Sequence, residues 1–293
     1  MAASKSIKNR IQQLKGIYER LKPGKESLLA MIDEVEIPEN VYNSNAIENS
    51  TLTLKETEKI LLEQELAREV SVREVFEAKN LARVIEYKRN NNQKQLAKKL
   101  ILFFHQMLIG GIDDSVAGRF RKKGEYVRVG TYIAPAPEHV ERMMEELLLE
   151  YSSDLQSYFL DKIAKFHLDF ETIHPFCDGN GRIGRALINF QFLALGFPRV
   201  IIRNKEKNNY YQAFREYREQ KNTKRMEKIL ALALIESLHK RITYLKGEKI
   251  ITLSEFIKAN KLSAPAVTNA AKKQTIPAFR EKGKWKIGID NKL

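Results

Sequence analysis

Residues 174–185 read HPFCDGNGRIGR, and the reading of the fold starts there. Upstream, Phe166, Leu168, Phe170 and Ile173 mark an apolar helix. Pro175 must end or bend it, because the residue before a proline is pushed out of helical geometry. Asp178-Gly179-Asn180-Gly181 then makes a tight turn, with two glycines free to take positive φ. Arg182 begins a second helix, with Ile183, Ala186, Leu187 and Phe190 on its apolar side. A glycine-rich turn feeding a helix N-terminus points several backbone N–H groups one way, an anion nest that the helix dipole reinforces. Arg182 and Arg185 are three apart and share one face of the first turn. Two guanidiniums beside a nest suit a di- or triphosphate. Asp178 is a lone carboxylate next to that nest, suited to Mg²⁺ bridging phosphates. His174 faces the same cavity as a candidate general base. Each element alone is ordinary, since such turns often only turn and such histidines often sit satisfied in a core. Seven of them within twelve residues make coincidence the poorer explanation.

Working outward, most of the chain has helical spacing. Residues 5–22 carry Ile7, Ile11, Leu14, Ile17, Tyr18 and Leu21 three or four apart, and Pro23-Gly24 stops that helix. The spacing predicts further helices over 54–67, 72–90, 94–109, 138–151, 154–172, 183–196, 207–219 and 223–245. Two places break the pattern. Residues 124–137, GEYVRVGTYIAPAP, hold β-formers around Gly130 and end in two prolines, which predicts a short β-hairpin. At the C-terminus, Leu253–Ala259 and Ala264–Lys273 read as short helices, and Ala278–Ile289 as two strands around Lys282-Gly283. Helix, helix, hairpin is the order of a small winged-helix module, with Gly247 in the linker. The expected fold is mainly α, with a short hairpin and a small C-terminal α+β module. The expected divisions are an N-terminal helical region (1–95), a core (96–246) and the module (247–293).

Composition limits the class. The 293 residues are 43% hydrophobic and 30% charged, a soluble globular profile that excludes disorder throughout. The longest apolar run, Ile229–Ile235, is seven residues, whereas a membrane-spanning helix needs about 20. The polar start predicts no secretory signal. The single cysteine, Cys177, can form no internal disulfide, which fits a reducing cytoplasm. No Cys/His cluster suggests zinc. Net charge is +14, and residues 199–228 and 251–293 each carry a net +6 of it. Nucleotide, nucleic acid or both are the expected anionic partners.

At every defined position, HPFxDGNGRxxR is similar to the signature of the Fic (filamentation induced by cAMP) family. The resemblance implies a mainly helical fold with the motif in a loop between two helices and a β-hairpin flap nearby. It also implies an activity, transfer of AMP from ATP to a hydroxyl side chain of a target protein. On that basis His174 takes the proton from a Ser, Thr or Tyr hydroxyl, and Asp178 holds Mg²⁺. Gly179, Asn180 and Gly181 cradle the α- and β-phosphates, and Arg182 and Arg185 bind the β- and γ-phosphates. Ile183 and Gly184 lie in the same nucleotide-binding segment. The hairpin resembles the family's flap, with Val129, Gly130, Thr131 and Tyr132 bordering the nucleotide and an open edge for the target's extended segment. Tyr210-Tyr211 resembles the family's tyrosine pair beside the adenine.

Residues 44–49 read SNAIEN, with Ser44 and Glu48 on one helix face. A helix-start serine and a first-turn acid would be ordinary. The pattern is also similar to the family's inhibitory Ser/Thr-x-x-x-Glu-Gly/Asn motif, which implies that Glu48 pairs with Arg185 and leaves ATP badly placed for attack. Residues 251–293 resemble the winged-helix-like modules that follow many bacterial Fic cores. There Lys272, Lys273, Arg280, Lys282, Lys284 and Lys286 would contact DNA phosphates. A plain packing module fits the same residues equally well. Two other functions compete: a DNA-binding regulator with the core as a nucleotide-responsive scaffold, and the same core performing de-AMPylation or phosphate transfer. Target, acceptor residue and oligomeric state, a homodimer included, stay open. Cytoplasm without a membrane is the expected setting.

Overall fold

The computed structural model describes residues 5–63, 70–87 and 95–289. The first half holds α1 (Lys5–Leu21), α2 (Glu26–Ile47), α3 (Leu54–Glu58) with a π-helical turn over Lys59–Glu63, α4 (Val72–Glu86) and α5 (Lys98–Ile109). A hairpin follows, β1 (Arg128–Val129) and β2 (Tyr132–Ile133). Then come α6 (Pro137–Ser153), α7 (Phe159–Ile173), α8 (Asn180–Ala194), α9 (Lys207–Gln220) and α10 (Lys224–Lys246). The C-terminal module is β3 (Ile250–Thr252), α11 (Leu253–Ala259), α12 (Ala264–Lys272), β4 (Phe279–Glu281) and β5 (Lys284–Gly288). Expected helical residues 64–67, 88–90 and 94 lie outside the described residues. No helix among the described residues is long and apolar enough to cross a membrane.

Three differences from the sequence reading have physical causes. Helix α7 begins at Phe159, not 154, because Asp154 Oδ1 accepts from the N–H groups of Gln156 (3.1 Å) and Ser157 (2.9 Å), a local turn that competes with helix. Helix α8 begins at Asn180, not 183, because Gly179 at φ +81° caps it. Helix α2 went unread except at its end. Its buried residues include Glu39, Asn40, Asn43, Ser44 and Asn45, so its inner face lacks the apolar repeat that marks an amphipathic helix. It also runs through Pro38.

Helices α7 and α8 are central, each feeding two hydrophobic clusters. One cluster joins Ile11, Ile32 and Ile47 to Leu168, Phe192, Tyr210 and Leu234. The other joins Val41, Leu81 and Phe104 to Met144, Phe170, Phe176 and Leu187. Residues before and after position 95 thus share both cores. The C-terminal module has a small core of its own, built from Leu253, Phe256, Val267, Ala271, Ala278 and Ile287. Its antiparallel sheet runs in the order β3-β5-β4, with Ile251 opposite Ile287 and Arg280 opposite Trp285. Strand β3 is an addition to the expected helix-helix-hairpin order. Trp285 packs half-buried on this core, and the Arg280 guanidinium lies 4.7 Å from its ring centroid.

The module docks on the helices through charge. Arg280 pairs with Glu236 at 2.7 Å and Glu206 at 3.0 Å and Lys282 with Glu58 at 3.1 Å, while Lys286 pairs within the module with Glu281. Three of the six cations expected to face DNA therefore already hold carboxylates.

Candidate active site

His174 caps α7 in the left-handed conformation (φ +51°), its N–H donating to the Phe170 carbonyl at 2.9 Å. Pro175 thus ends the helix as the sequence requires. The loop behind it is tied to itself. Asn180 Oδ1 accepts from the Phe176 N–H (2.9 Å) and Asn180 Nδ2 donates to the Phe176 carbonyl (2.8 Å). The Gly179 N–H donates to Asp178 Oδ1 at 2.5 Å. The first bond of α8 runs from the Ile183 N–H to the Gly179 carbonyl, so the amides of Asn180, Gly181 and Arg182 precede the intrahelical ladder, where an anion nest needs them.

Only one of the two turn glycines takes positive φ. Gly179 does, whereas Gly181 is helical, and its role is space. A Cβ at Gly181 would collide with Glu48 Oε1 and lie 3.1 Å from Arg185 Nη1. At Gly184 a Cβ would come within 2.7 Å of His167 Cε1 and 2.8 Å of Glu171 Oε1.

The two arginines do not share a task here. Arg185 is buried and receives α2: its Nε donates to Ser44 Oγ (2.9 Å), and its Nη2 to the Ser44 carbonyl (2.8 Å) and Glu48 Oε1 (2.8 Å). Arg182 turns elsewhere, with Nη1 3.1 Å from Glu77 and Nη2 3.0 Å from Asp178. Asp178 also pairs with Arg73. The contact expected between Glu48 and Arg185 is thus formed, and Ser44 adds to it, while the phosphate role expected of Arg182 would require its present partners to release it.

A cavity of about 590 Å³ opens beside these groups, within the usual range for a small-molecule site. His174, Gly181, Arg185 and Glu48 line it, with the hairpin residues Val129, Gly130 and Thr131 and the α9 residues Tyr210 and Tyr211. Tyr132 OH donates to the Thr172 carbonyl (3.0 Å), which ties the hairpin to α7. Arg121, also buried, joins hairpin and loop, donating from Nε to the His174 carbonyl (2.9 Å) and from Nη2 to the Pro135 carbonyl (2.9 Å). The tyrosine pair splits. Tyr211 OH donates to the Ile47 carbonyl at 2.8 Å and is half-buried. Tyr210 is almost fully buried, its hydroxyl 2.7 Å from His167 Nε2 and 3.4 Å from Arg185 Nη1. It props the arginine while lining the cavity.

Protonation suits base chemistry. Burial, with the Arg121 charge nearby, pushes His174 down to about 4, so its imidazole is neutral near pH 7. Its Nδ1 is buried, 3.7 Å from Glu171 Oε2. Burial, helped by the Glu48 charge, pushes Glu171 up to about 8. Burial disfavours the Arg185 charge, but Tyr210 and Glu48 more than offset that, and its pKa is raised. Burial opposes the Asp178 charge too, and Arg182 overrides it to hold the carboxyl below its usual range.

Sequence reasoning missed the support beneath the loop. His105 stacks on Phe176 (3.7 Å between ring centroids), accepts at Nδ1 from the Gly118 N–H (3.0 Å) and faces the Asp178 carbonyl through Nε2 (3.1 Å). His167 and Glu171 are four apart on α7 and His174 caps it, so the three lie at i, i+4 and i+7 toward the cavity, a spacing that the sequence could have flagged.

Residues 95–192 match the family model described as Fic/DOC family. A protein adenylyltransferase Fic from Nematostella vectensis is 32% identical over 181 residues, covering 59% of this chain and 42% of its own length. One of the same name from Drosophila willistoni is 31% identical over 179 residues, covering 59% and 35%. The chain thus spans less than half the length of the curated relatives it matches. Among solved structures, a Fic domain containing signaling protein from Bacteroides thetaiotaomicron superposes with a TM-score of 0.73 at 25% identity, over 82% of this chain and 98% of that one. A Fic family protein from Desulfovibrio desulfuricans G20 has the same fold over 100% of this chain and 98% of its own (TM-score 0.66, 20% identity). Motif, hairpin, fold and family model agree, and this chain carries a Fic/DOC family domain over residues 95–192.

Proposed function

We propose that the protein is an adenylyltransferase that moves AMP from ATP to a hydroxyl of a target protein and is held in check by Glu48. The observation that carries this reading is a neutral, cavity-lining His174 in the same pocket as the 2.8 Å Arg185–Glu48 pair. In the working state Glu48 leaves Arg185, whose guanidinium then takes the far phosphates of ATP, with the amides at the start of α8 on the inner ones. His174 accepts the target hydroxyl's proton as that oxygen attacks the α-phosphorus. A new P–O bond forms, the bond to the β-phosphate breaks, and pyrophosphate leaves with the electron pair. The hairpin edge would hold the target segment as an added strand and set the hydroxyl in line.

Asp178 is the carboxylate of this loop, and no cluster of three or more His, Cys, Asp or Glu among the described residues could hold a metal alone. One partly exposed carboxylate beside a phosphate nest suits Mg²⁺, which usually binds through one or two carboxylates plus substrate phosphates, once Arg73 and Arg182 release it. Bound there, Mg²⁺ would neutralise phosphate charge.

A Glu48→Gly variant given α-labelled or γ-labelled ATP tests the reading. Protein label from the α position alone supports AMP transfer. Label from γ alone means phosphate transfer, and label from neither leaves a scaffold. DNA binding by the winged-helix-like module is supported by the α11–α12 pair and by Lys272 and Lys273 at the end of α12. Charge reversal of both lysines should abolish any salt-sensitive shift of random duplex DNA.

A further inference from the structure

Helix α2 is continuous, but Pro38 divides it into two pieces at a weak point. Pro38 has no N–H for the Glu34 carbonyl, and its ring crowds that carbonyl, so the ladder is interrupted ten residues before Glu48. The piece before the proline is bolted to the far helices. Asp33 takes Arg241 and Arg199 (3.0 Å), and Glu36 takes Arg241 (2.7 Å) and Lys240 (3.0 Å). The piece after it carries Ser44 and leads into Glu48. Its first residue, Glu39, is buried at 4% exposure. That carboxylate pairs with Arg203 and accepts two backbone N–H groups from the C-terminal module, Lys282 to Oε2 (3.1 Å) and Gly283 to Oε1 (3.0 Å). Lys282 (φ +51°) and Gly283 (φ +74°) are the central residues of the β4–β5 turn, both left-handed, which aims successive amides at one anion. Arg203 also holds Glu236 (2.9 Å), and Glu236 holds Arg280 on β4 (2.7 Å). The module's turn therefore grips the inhibitory helix at the first residue past its weak point.

We propose that the β4–β5 turn is a clamp on the inhibitory half of α2. While it holds Glu39, Ser44 and Glu48 stay on Arg185. When it withdraws, residues 39–48 pivot at Pro38 and Arg185 becomes available to nucleotide. The activity consequence rests on the adenylyltransferase reading, and the mechanical one does not.

Two full-length variants test the clamp. One inserts Gly-Gly between Lys282 and Gly283, moving both amides off Glu39. The other is Glu39→Gln, which keeps the shape and removes the charge. With Glu48 intact, each should speed amide hydrogen exchange over residues 39–48 by about tenfold while residues 26–36 keep their protection. Each should also raise AMP incorporation by about 5–20-fold, with no further rise when combined with Glu48→Gly. Unchanged exchange over 39–48 in a variant that still melts cooperatively overturns the clamp. If the insertion unfolds the module, seen as lost protection over 250–289, the Glu39→Gln result alone decides. If Glu48→Gly by itself yields no labelled protein, the adenylyltransferase reading fails, and hydrogen exchange over 39–48 still decides for or against the clamp.

Discussion

The loop of residues 174–185 and helix α2 meet at Arg185 but are built on opposite plans. The turn of the loop closes on itself, with Asn180 bonded to Phe176, Gly179 to Asp178 and Ile183 to Gly179, and His105 and Arg121 prop it from outside. Helix α2 draws the partners of Ser44 and Glu39 from afar. Ser44 is 141 positions from its arginine, Glu39 is 164 from Arg203, and the amide of Gly283 that it accepts lies 244 positions away. A segment whose turn is closed by its own short-range bonds needs few distant partners to keep its shape. A segment tied at many distant points reports on the state of all of them, which suits a regulator.

That contrast can be broken by experiment. The largest effect should come from the loop: His174→Ala should cut AMP transfer by about 10²–10⁴-fold with ATP affinity changed less than about twofold, measured by label incorporation and calorimetry. If affinity collapses as well, catalysis and binding are not separable there. Next is Glu48→Gly, which should raise transfer by about 5–150-fold in the same assay, the range of a coupling of about 1–3 kcal/mol. No change in rate would mean that α2 does not regulate. Ser44→Ala is expected to do less, a rise of about 2–10-fold, because it removes one hydrogen bond of about 0.5–1.5 kcal/mol while the Ser44 carbonyl still accepts from Arg185. A rise as large as that of Glu48→Gly would shift the weight of inhibition from the carboxylate to the hydroxyl.

The smallest effect is on stability. Burial, then Glu48, raises Glu171 from its usual 4.5 to about 8. The folded protein keeps a proton there that the unfolded chain sheds, so this stabilisation is complete below about pH 4.5 and is lost as pH rises through about 8. His174 runs the other way. Lowered from 6.5 to about 4, its contribution is present above pH 6.5 and is lost as pH falls through about 4. Between about pH 6.5 and 8.5 Glu171 therefore acts alone of the two, and Glu171→Gln should shrink the fall in melting temperature over that span by a few degrees. Equal slopes in both proteins would show that Glu171 titrates normally.

What the sequence made legible follows the same division. The loop, the hairpin and most helix positions rest on local rules, namely a proline's effect on its neighbour, alternation of β-formers and apolar spacing. The Glu48–Arg185 contact was reachable because a short pattern, through its resemblance, stands in for distant geometry. The body of α2 was not, because its buried Glu39, Asn40 and Asn43 look like surface until their partners are known. Arg182 and Arg185 look equivalent three residues apart, and their partners separate them: Glu77 on α4 and Asp178 hold the first, Ser44 and Glu48 the second. Tyr210 could be placed in the pocket, but its hydroxyl is claimed by His167 on another helix. The cations Arg280, Lys282 and Lys286 read as a basic surface because their carboxylates come from α3, the turn before α9, α10 and the strand β4 itself.

The backbone at residue 174 has a last consequence. The backbone there occupies a torsional region that non-glycine residues avoid at about 1–2 kcal/mol, and the buried Nδ1 of the imidazole faces Glu171. Folding and turnover therefore pull against each other at this one position. Asparagine, more at ease with that geometry, should give a sturdier and silent protein, and substitutions at 174 ordered by heat tolerance should run opposite to their order by turnover.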